Sequence, residues 1–138
     1  MYIVNKFKPF YRFLKKEDIL QNTVVNYAEM QHQAVALPCN IEGRKTPFQR
    51  YLFTVMGGRK GTLDLFFPYA RHNFNGLFIE LKTEGTKVFK KDGMVRKDKT
   101  LSAQWEKIQH HIKQGYKAEF AIGFDEAKDI LDYYFNKQ

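Results

Sequence analysis

The sequence predicts an α/β fold of the α+β kind, a mixed β-sheet flanked by helices, with elements in the order α-β-β-β-α-β-α. Three observations carry that expectation. Apolar residues recur at helical spacing in three segments, and short β-branched and aromatic runs alternate with turn signals. The 138 residues, 43% of them hydrophobic, suffice for one continuous core, so a single domain over 1–138 is expected.

Taken in order, residues 1–21 form a basic and aromatic N-terminal extension in which Lys6, Phe7, Lys8, Phe10, Tyr11, Arg12, Phe13, Lys15 and Lys16 follow neither a helix nor a strand period. Such a segment can pack on the core, contact a partner, or bind phosphate and stack bases. Val24, Tyr27, Ala28, Gln31 and Val35 recur near helical spacing between Thr23 and Leu37, and Pro38 supplies a stop. Glu29 lies inside that helix. Tyr51 to Val55 reads as a strand closed by Gly57-Gly58, followed by strands over 62–67 and 77–82. Short connections make these an antiparallel meander. The polar stretch 83–100, with Lys90-Lys91-Asp92-Gly93 at its centre, is expected to be a basic loop or hairpin. Ser102 is placed to cap a helix with a Trp105, Ile108 and Ile112 stripe that ends at Gly115. Gln104, Lys107 and His111 share a neighbouring face. Residues 117–122 form a further strand, and Asp125 caps a last helix carrying Ala127, Ile130, Leu131 and Tyr134 at i, i+3, i+4 and i+7.

Charge narrows the class of partner. Lys and Arg number 23 against 15 Asp and Glu, a net charge of +8, which favours a polyanion, with nucleic acid first. The single Cys39 cannot form an internal disulfide, and four His with one Cys make no zinc-spaced cluster. A reduced, cytoplasmic compartment is expected. No apolar run approaches the ~18 residues of a membrane helix, so no membrane partner is expected.

The candidate chemistry lies between Gly58 and Lys82. In a strand over Leu77-Phe78-Ile79-Glu80-Leu81-Lys82, Glu80 and Lys82 point from one face and Leu77, Ile79 and Leu81 from the other. With Asp64 they form a trio suited to metal-dependent phosphodiester chemistry: hard oxygen ligands for a divalent cation and an ammonium beside the phosphate. Ordinary structural explanations stand beside this. Asp64 could cap a turn, and Glu80 with Lys82 could form a solvated pair on an edge strand. Glu80 interrupts an apolar run, however, and burying even a neutral polar group unpaired costs roughly 2–7 kcal/mol. It therefore needs Lys82, a metal, or both as partner.

Asp, a spacer containing a turn, Glu-x-Lys on a strand and then a helix with Gln near its start together resemble the PD-(D/E)XK nuclease superfamily. More closely, the chain is similar to the VRR-NUC family. The residues that carry this likeness are Glu29, Gly58-Arg59-Lys60-Gly61-Thr62-Leu63-Asp64-Leu65, Phe78-Ile79-Glu80-Leu81-Lys82-Thr83, Ser102-Ala103-Gln104 and Gly115-Tyr116. It spans about residue 24 to the C-terminus. Leu63 stands where family members usually carry Pro, a position that provides no ligand.

The resemblance implies a restriction-endonuclease-like core in which Asp64 and Glu80 hold Mg2+ or Mn2+ together with the Leu81 carbonyl. It also implies that Lys82 orients or deprotonates the attacking water or stabilises phosphate charge, that Glu29 is an outer ligand or binds a metal-bound water, and that Gln104 holds the site by hydrogen bonding near Lys82. The implied activity is a divalent-metal-dependent endodeoxyribonuclease acting on branched DNA, such as four-way junctions or flaps, as a homodimer. A catalytically silent nucleic-acid-binding form of the same fold is the alternative. The basic residues expected to contact nucleic acid are Arg59, Lys60, Lys87, Lys90, Lys91, Arg96, Lys97 and Lys107, with His111 near phosphate. Each phosphate they neutralise would steepen the salt dependence of binding. Adjacent His110 and His111 point in different directions on a helix, which disfavours a metal pair. Cys39 has no activating His beside it and is expected to be a small packing residue.

Overall fold

The computed structural model describes residues 5–39, 46–59 and 61–136. After a 3-10 segment at Asn5–Phe13, the elements are α1 (Lys16–His32), β1 (Leu37–Pro38), α2 (Pro47–Val55), β2 (Leu65–Phe67), β3 (Leu77–Lys82), α3 (Lys99–Lys113), β4 (Lys117–Ile122) and α4 (Gly123–Phe135). The sheet order is β1-β2-β3-β4, with β1/β2 and β2/β3 antiparallel and β3/β4 parallel. It is the expected mixed sheet flanked by helices. No described helix is long and apolar enough to cross a membrane.

The pleat of β3 sorts the two cores. Leu77, Ile79 and Leu81 join Leu65, Phe67 and Ala121 beneath α1 and α4, where Val24, Ala28, Ala127, Leu131 and Tyr134 are buried. On the opposite face, Phe78 packs with Leu63, Val88, Ala118 and Phe120 against Leu101 and Ile108 of α3. Pairing with β2 on one side and β4 on the other makes β3 an interior strand, which removes the solvated-edge explanation of Glu80.

Several boundaries differ from the sequence expectation. α1 covers 16–32 and not 23–37, so the N-terminal extension ends before residue 16. Glu17 and Asp18 favour the early start by placing negative charge in the first turn, and the Asp18 carboxylate accepts from the Lys15 N–H at 2.9 Å. The helix ends with Gln33 in the left-handed region at φ 53°, which leaves Pro38 to β1. The segment 51–55, expected as a strand, belongs to helix α2. Thr46 caps that helix, exchanging hydrogen bonds with Gln49 at 3.2 and 2.9 Å, and Pro47 sits in the first turn, where its missing N–H costs nothing. Here capping overrides the β preference of Tyr51 to Val55.

β2 is shorter than expected because the Asp64 N–H leaves the ladder for the Glu80 carboxylate. α3 begins three residues before Ser102, capped by Asp98, whose Oδ1 accepts from Thr100 and Leu101 at 2.9 Å each. Its buried stripe is Leu101, Gln104 and Ile108, while Trp105 and Ile112 are exposed. α4 follows β4 without a loop. Gly123 at φ 83° makes that sharp junction, so Asp125 falls in the first turn and does not cap.

α1 is clasped to α4 by one carboxylate. Asp132 accepts from the Tyr27 hydroxyl at 2.5 Å and lies 2.8 Å from His32 Nε2 through Oδ1, and accepts from Lys128 at 2.9 Å through Oδ2. Burial alone would raise its pKa, but the bonds from Tyr27, Lys128 and His32 outweigh this and hold it at about 2. The folded value lies below the ordinary 3.8, so this contribution to stability is present above pH 3.8 and is lost as pH falls towards 2. Asp132→Ala should lower stability by about 1–3 kcal/mol at neutral pH, read as a reduced urea midpoint, because Tyr27 and His32 lose their acceptor.

Candidate active site

Register brings the two carboxylates together. The β2–β3 pairing sets Leu65 opposite Ile79, and one residue further along the same register sets Asp64 opposite Glu80. The pair is cross-bonded. The Asp64 N–H donates to Glu80 Oε2 at 2.9 Å, and the Leu81 N–H donates to Asp64 Oδ2 at 2.7 Å. A residue in an extended strand presents its N–H and C=O to the same neighbour, so the Leu81 carbonyl faces the edge on which Asp64 sits.

Glu80 is only 4% exposed. Its Oε1 accepts from Gln104 Nε2 at 2.5 Å and lies 3.6 Å from Lys82 Nζ. Gln104 occupies the central position of the buried α3 stripe, which accounts for a polar side chain beneath the sheet. Its Oε1 is buried without a hydrogen-bond partner among protein atoms. Burial, reinforced by the neighbouring Asp64 charge, pushes the Glu80 carboxyl up to about 8, and Lys82 offsets only part of this.

These groups line a cleft of about 1100 Å³ together with Thr83 and Thr86 after β3, Thr100 of α3, and the N-terminal half of α1. The structure therefore brings Asp64, Glu80, Leu81, Lys82 and Gln104 together. It does not bring Glu29, which is exposed and lies one turn beyond Val25, the last residue of α1 in the cleft wall. The α1 residues that do reach the cleft include Glu17 and Gln21, which share a face at i, i+4 spacing and which the sequence reading did not single out. The signal was present in the acidic first turn of a helix, but the extension had masked where that helix begins.

A divalent cation fits this donor set. Among the described residues no three His, Cys, Asp or Glu converge, so protein donors amount to two carboxylates and a backbone carbonyl. An all-oxygen set of this kind suits a hard cation that keeps waters among its ligands.

Lys87, Lys90, Lys91, Arg96 and Lys97 are exposed on a hairpin after β3, and Lys107 is half-buried on α3; none is part of the cleft wall. Arg59 is exposed, with Nη1 donating to the Gly58 and Thr54 carbonyls at 2.8 and 3.3 Å. Lys60 lies outside the described residues. His111 stacks on Phe78 at 3.8 Å and 6°, and burial, with His110 and Lys107, lowers its pKa. It is an aromatic packing partner outside the cleft wall. Cys39 donates its N–H to the Asp64 carbonyl at 2.9 Å, and burial together with the Asp64 charge raises its thiol pKa, the opposite of what a nucleophile needs.

No family model matches the sequence, and no curated protein matches it. Among solved structures, a VRR_NUC domain protein is similar at 28% identity with a TM-score of 0.60, over 88% of this chain and 90% of that one.

The crowded carboxylates make metal-free stability depend on pH. The folded value of Glu80, about 8, lies above the ordinary 4.5, so its contribution is fully present below 4.5 and is lost as pH rises through 8. In EDTA, thermal unfolding should show stability falling by a few kcal/mol between about pH 5 and pH 9. Glu80→Gln should flatten that limb.

Proposed function

We propose that this chain, assigned to the VRR-NUC family by its likeness to that solved structure, is a divalent-metal-dependent endonuclease that hydrolyses DNA phosphodiesters. The observation that carries the reading is the convergence of Asp64, Glu80, Lys82 and Gln104 on one cleft, with Glu80 buried in an interior strand.

Asp64, Glu80 and the Leu81 carbonyl would hold Mg2+ or Mn2+. When bound, the cation supplies an acidified water and neutralises charge on the scissile phosphate. The protein contributes positions. Gln104 Nε2 fixes the Glu80 carboxylate, and Gln104 Oε1 is buried beside it without a protein partner. Lys82 Nζ, held beside Glu80, orients the attacking water and stabilises the phosphate oxygens in the transition state. Glu17 and Gln21 also line the cleft, from α1, and can steer a water or a sugar hydroxyl. The exposed cations from Lys87 to Lys97 would give the DNA backbone a track. The silent-binder alternative is disfavoured by the intact set of four polar side chains.

Branched DNA remains the favoured substrate, cut by a homodimer. α2 supports the dimer. Phe48, Tyr51, Leu52, Val55 and Met56 are all exposed, and Arg50 is the single charge on the helix. An exposed, uncharged helix face is where two copies of a chain at +8 can meet with least repulsion.

With a labelled four-way junction, a flap and linear duplex, cleavage should require Mg2+ or Mn2+, be abolished by EDTA, and fall by about 10²- to 10³-fold in Glu80→Ala. Wild-type protein that retards DNA without cutting it would leave binding as the function. Sedimentation should show a dimer at micromolar concentration that Leu52→Glu converts to monomer; a monomeric wild type would remove the dimer from the reading.

A further inference from the structure

The N-terminal extension joins the cleft and keeps its aromatic rings in solvent. Residues 1–16 hold five Lys and Arg and no Asp or Glu, in a chain of net charge +8. From Pro9 to Asp18 every residue is exposed, which sets aside packing on the core for this stretch. Three aromatic rings stand in it: Phe10 is 62% exposed, Tyr11 40% and Phe13 66%. Asn5–Phe13 is a 3-10 helix, in which residues three apart lie over one another at about 6 Å along the axis, so Phe10 and Phe13 share a side. The Arg12 guanidinium lies 4.9 Å from the centre of the Phe13 ring, joining cation and ring in one surface. The Leu14 N–H donates to the Tyr11 carbonyl at 3.0 Å, and Leu14 and Lys15 then form part of the cleft wall.

Exposed rings at Phe10, Tyr11 and Phe13, followed by Leu14, make a contiguous apolar patch of the kind that marks a binding surface. Charge selects its occupant. A second copy of the chain would bring the same cations against these. An unpaired DNA strand offers both halves of the match, phosphates for Arg12, Lys15 and Lys16 and base faces for the rings. Paired DNA offers only the first, because its base faces are covered. An anionic bilayer also offers charge and an apolar layer, but the rings run directly into the cleft wall through Leu14 and Lys15, where a bilayer would compete with the substrate for the rim. The sign of the charge then changes, since Glu17 and Asp18, both in the cleft wall, follow Lys16. The phosphates of a bound strand are thus favoured before α1 begins and not along it.

We propose that the extension binds an unpaired DNA strand at the rim of the cleft, with bases stacked on Phe10 and Phe13 and phosphates on Arg12, Lys15 and Lys16. This contact rests on the nuclease reading of the adjoining cleft. Within that reading it favours a flap or fork, which has a free strand, over a four-way junction, which is paired throughout.

The test measures binding in EDTA by fluorescence anisotropy, on a labelled flap and on the same duplex without its free strand, and by co-sedimentation with anionic phospholipid vesicles. The double variant Phe10→Ala, Phe13→Ala should bind the flap about tenfold more weakly or worse and the duplex as wild type does. Phe10→Trp with Phe13→Trp should restore the flap affinity. Both rings are exposed, so the thermal midpoint should stay at the wild-type value in each variant. Equal flap affinity in wild type and the alanine variant, in protein that cuts with Mg2+, overturns the strand contact alone. Flap binding that needs the rings, in protein that never cuts, overturns the nuclease reading and leaves the extension as a strand contact. An equal loss on flap and duplex overturns the proposal. So does vesicle binding that needs the rings while flap binding does not, or a wild-type dimer that the alanine variant converts to monomer with flap affinity unchanged.

Discussion

The burial of Glu80 in an interior strand is the constraint around which the rest of the site is arranged. A carboxylate at that depth needs partners, and the fold supplies them from three directions: the Asp64 backbone from β2, the Gln104 amide from α3 and the Lys82 ammonium from the same face of β3. Each provision shapes an element. β2 is cut short so that the Asp64 N–H can turn to Glu80, and the buried stripe of α3 carries Gln104 where a leucine would pack better. The Asp132 clasp, by contrast, involves a carboxylate whose partners are sufficient, and its pKa falls where that of Glu80 rises. The two acids show the difference between a carboxylate satisfied by protein and one left wanting positive charge.

The same comparison separates structural from reactive polarity elsewhere. His111, Cys39 and His32 are all residue types that attract a catalytic interpretation. His111 is stacked on Phe78, Cys39 is held beside the Asp64 backbone with its thiol pKa raised, and His32 lies against Asp132 with its ring stacked on Phe135. None lines the cleft with Glu80. What distinguishes the cleft is a buried acid together with an amide oxygen that no protein group satisfies.

The sequence made the sheet centre legible because β3 and β4 have period-2 or continuous apolar runs bounded by turn residues, and both strands match their expected ranges of 77–82 and 117–122. The cluster of Asp64, Glu80, Lys82 and Gln104 was legible for the same reason: three of the four are fixed by strand register. Helix ends were harder. Glu29 and Glu17 both stand on α1, and choosing between them needed the start of a helix hidden in an aperiodic basic segment. Tyr51 to Val55 has strand composition, and only the Thr46–Gln49 cap reveals a helix. In both cases the deciding interaction is a backbone cap of one or two hydrogen bonds, which hydrophobic periodicity does not register.

β1 is two residues long and ends in Pro38, whose nitrogen has no hydrogen to offer. It forms one border of the sheet, and Pro38 also belongs to the cleft wall. A border this short, with a donor missing, is a poor template for a further strand. Edge-to-edge polymerisation through this side is therefore suppressed where the sheet comes nearest to the carboxylates, and the mouth of the cleft is protected from being sealed by another chain's backbone.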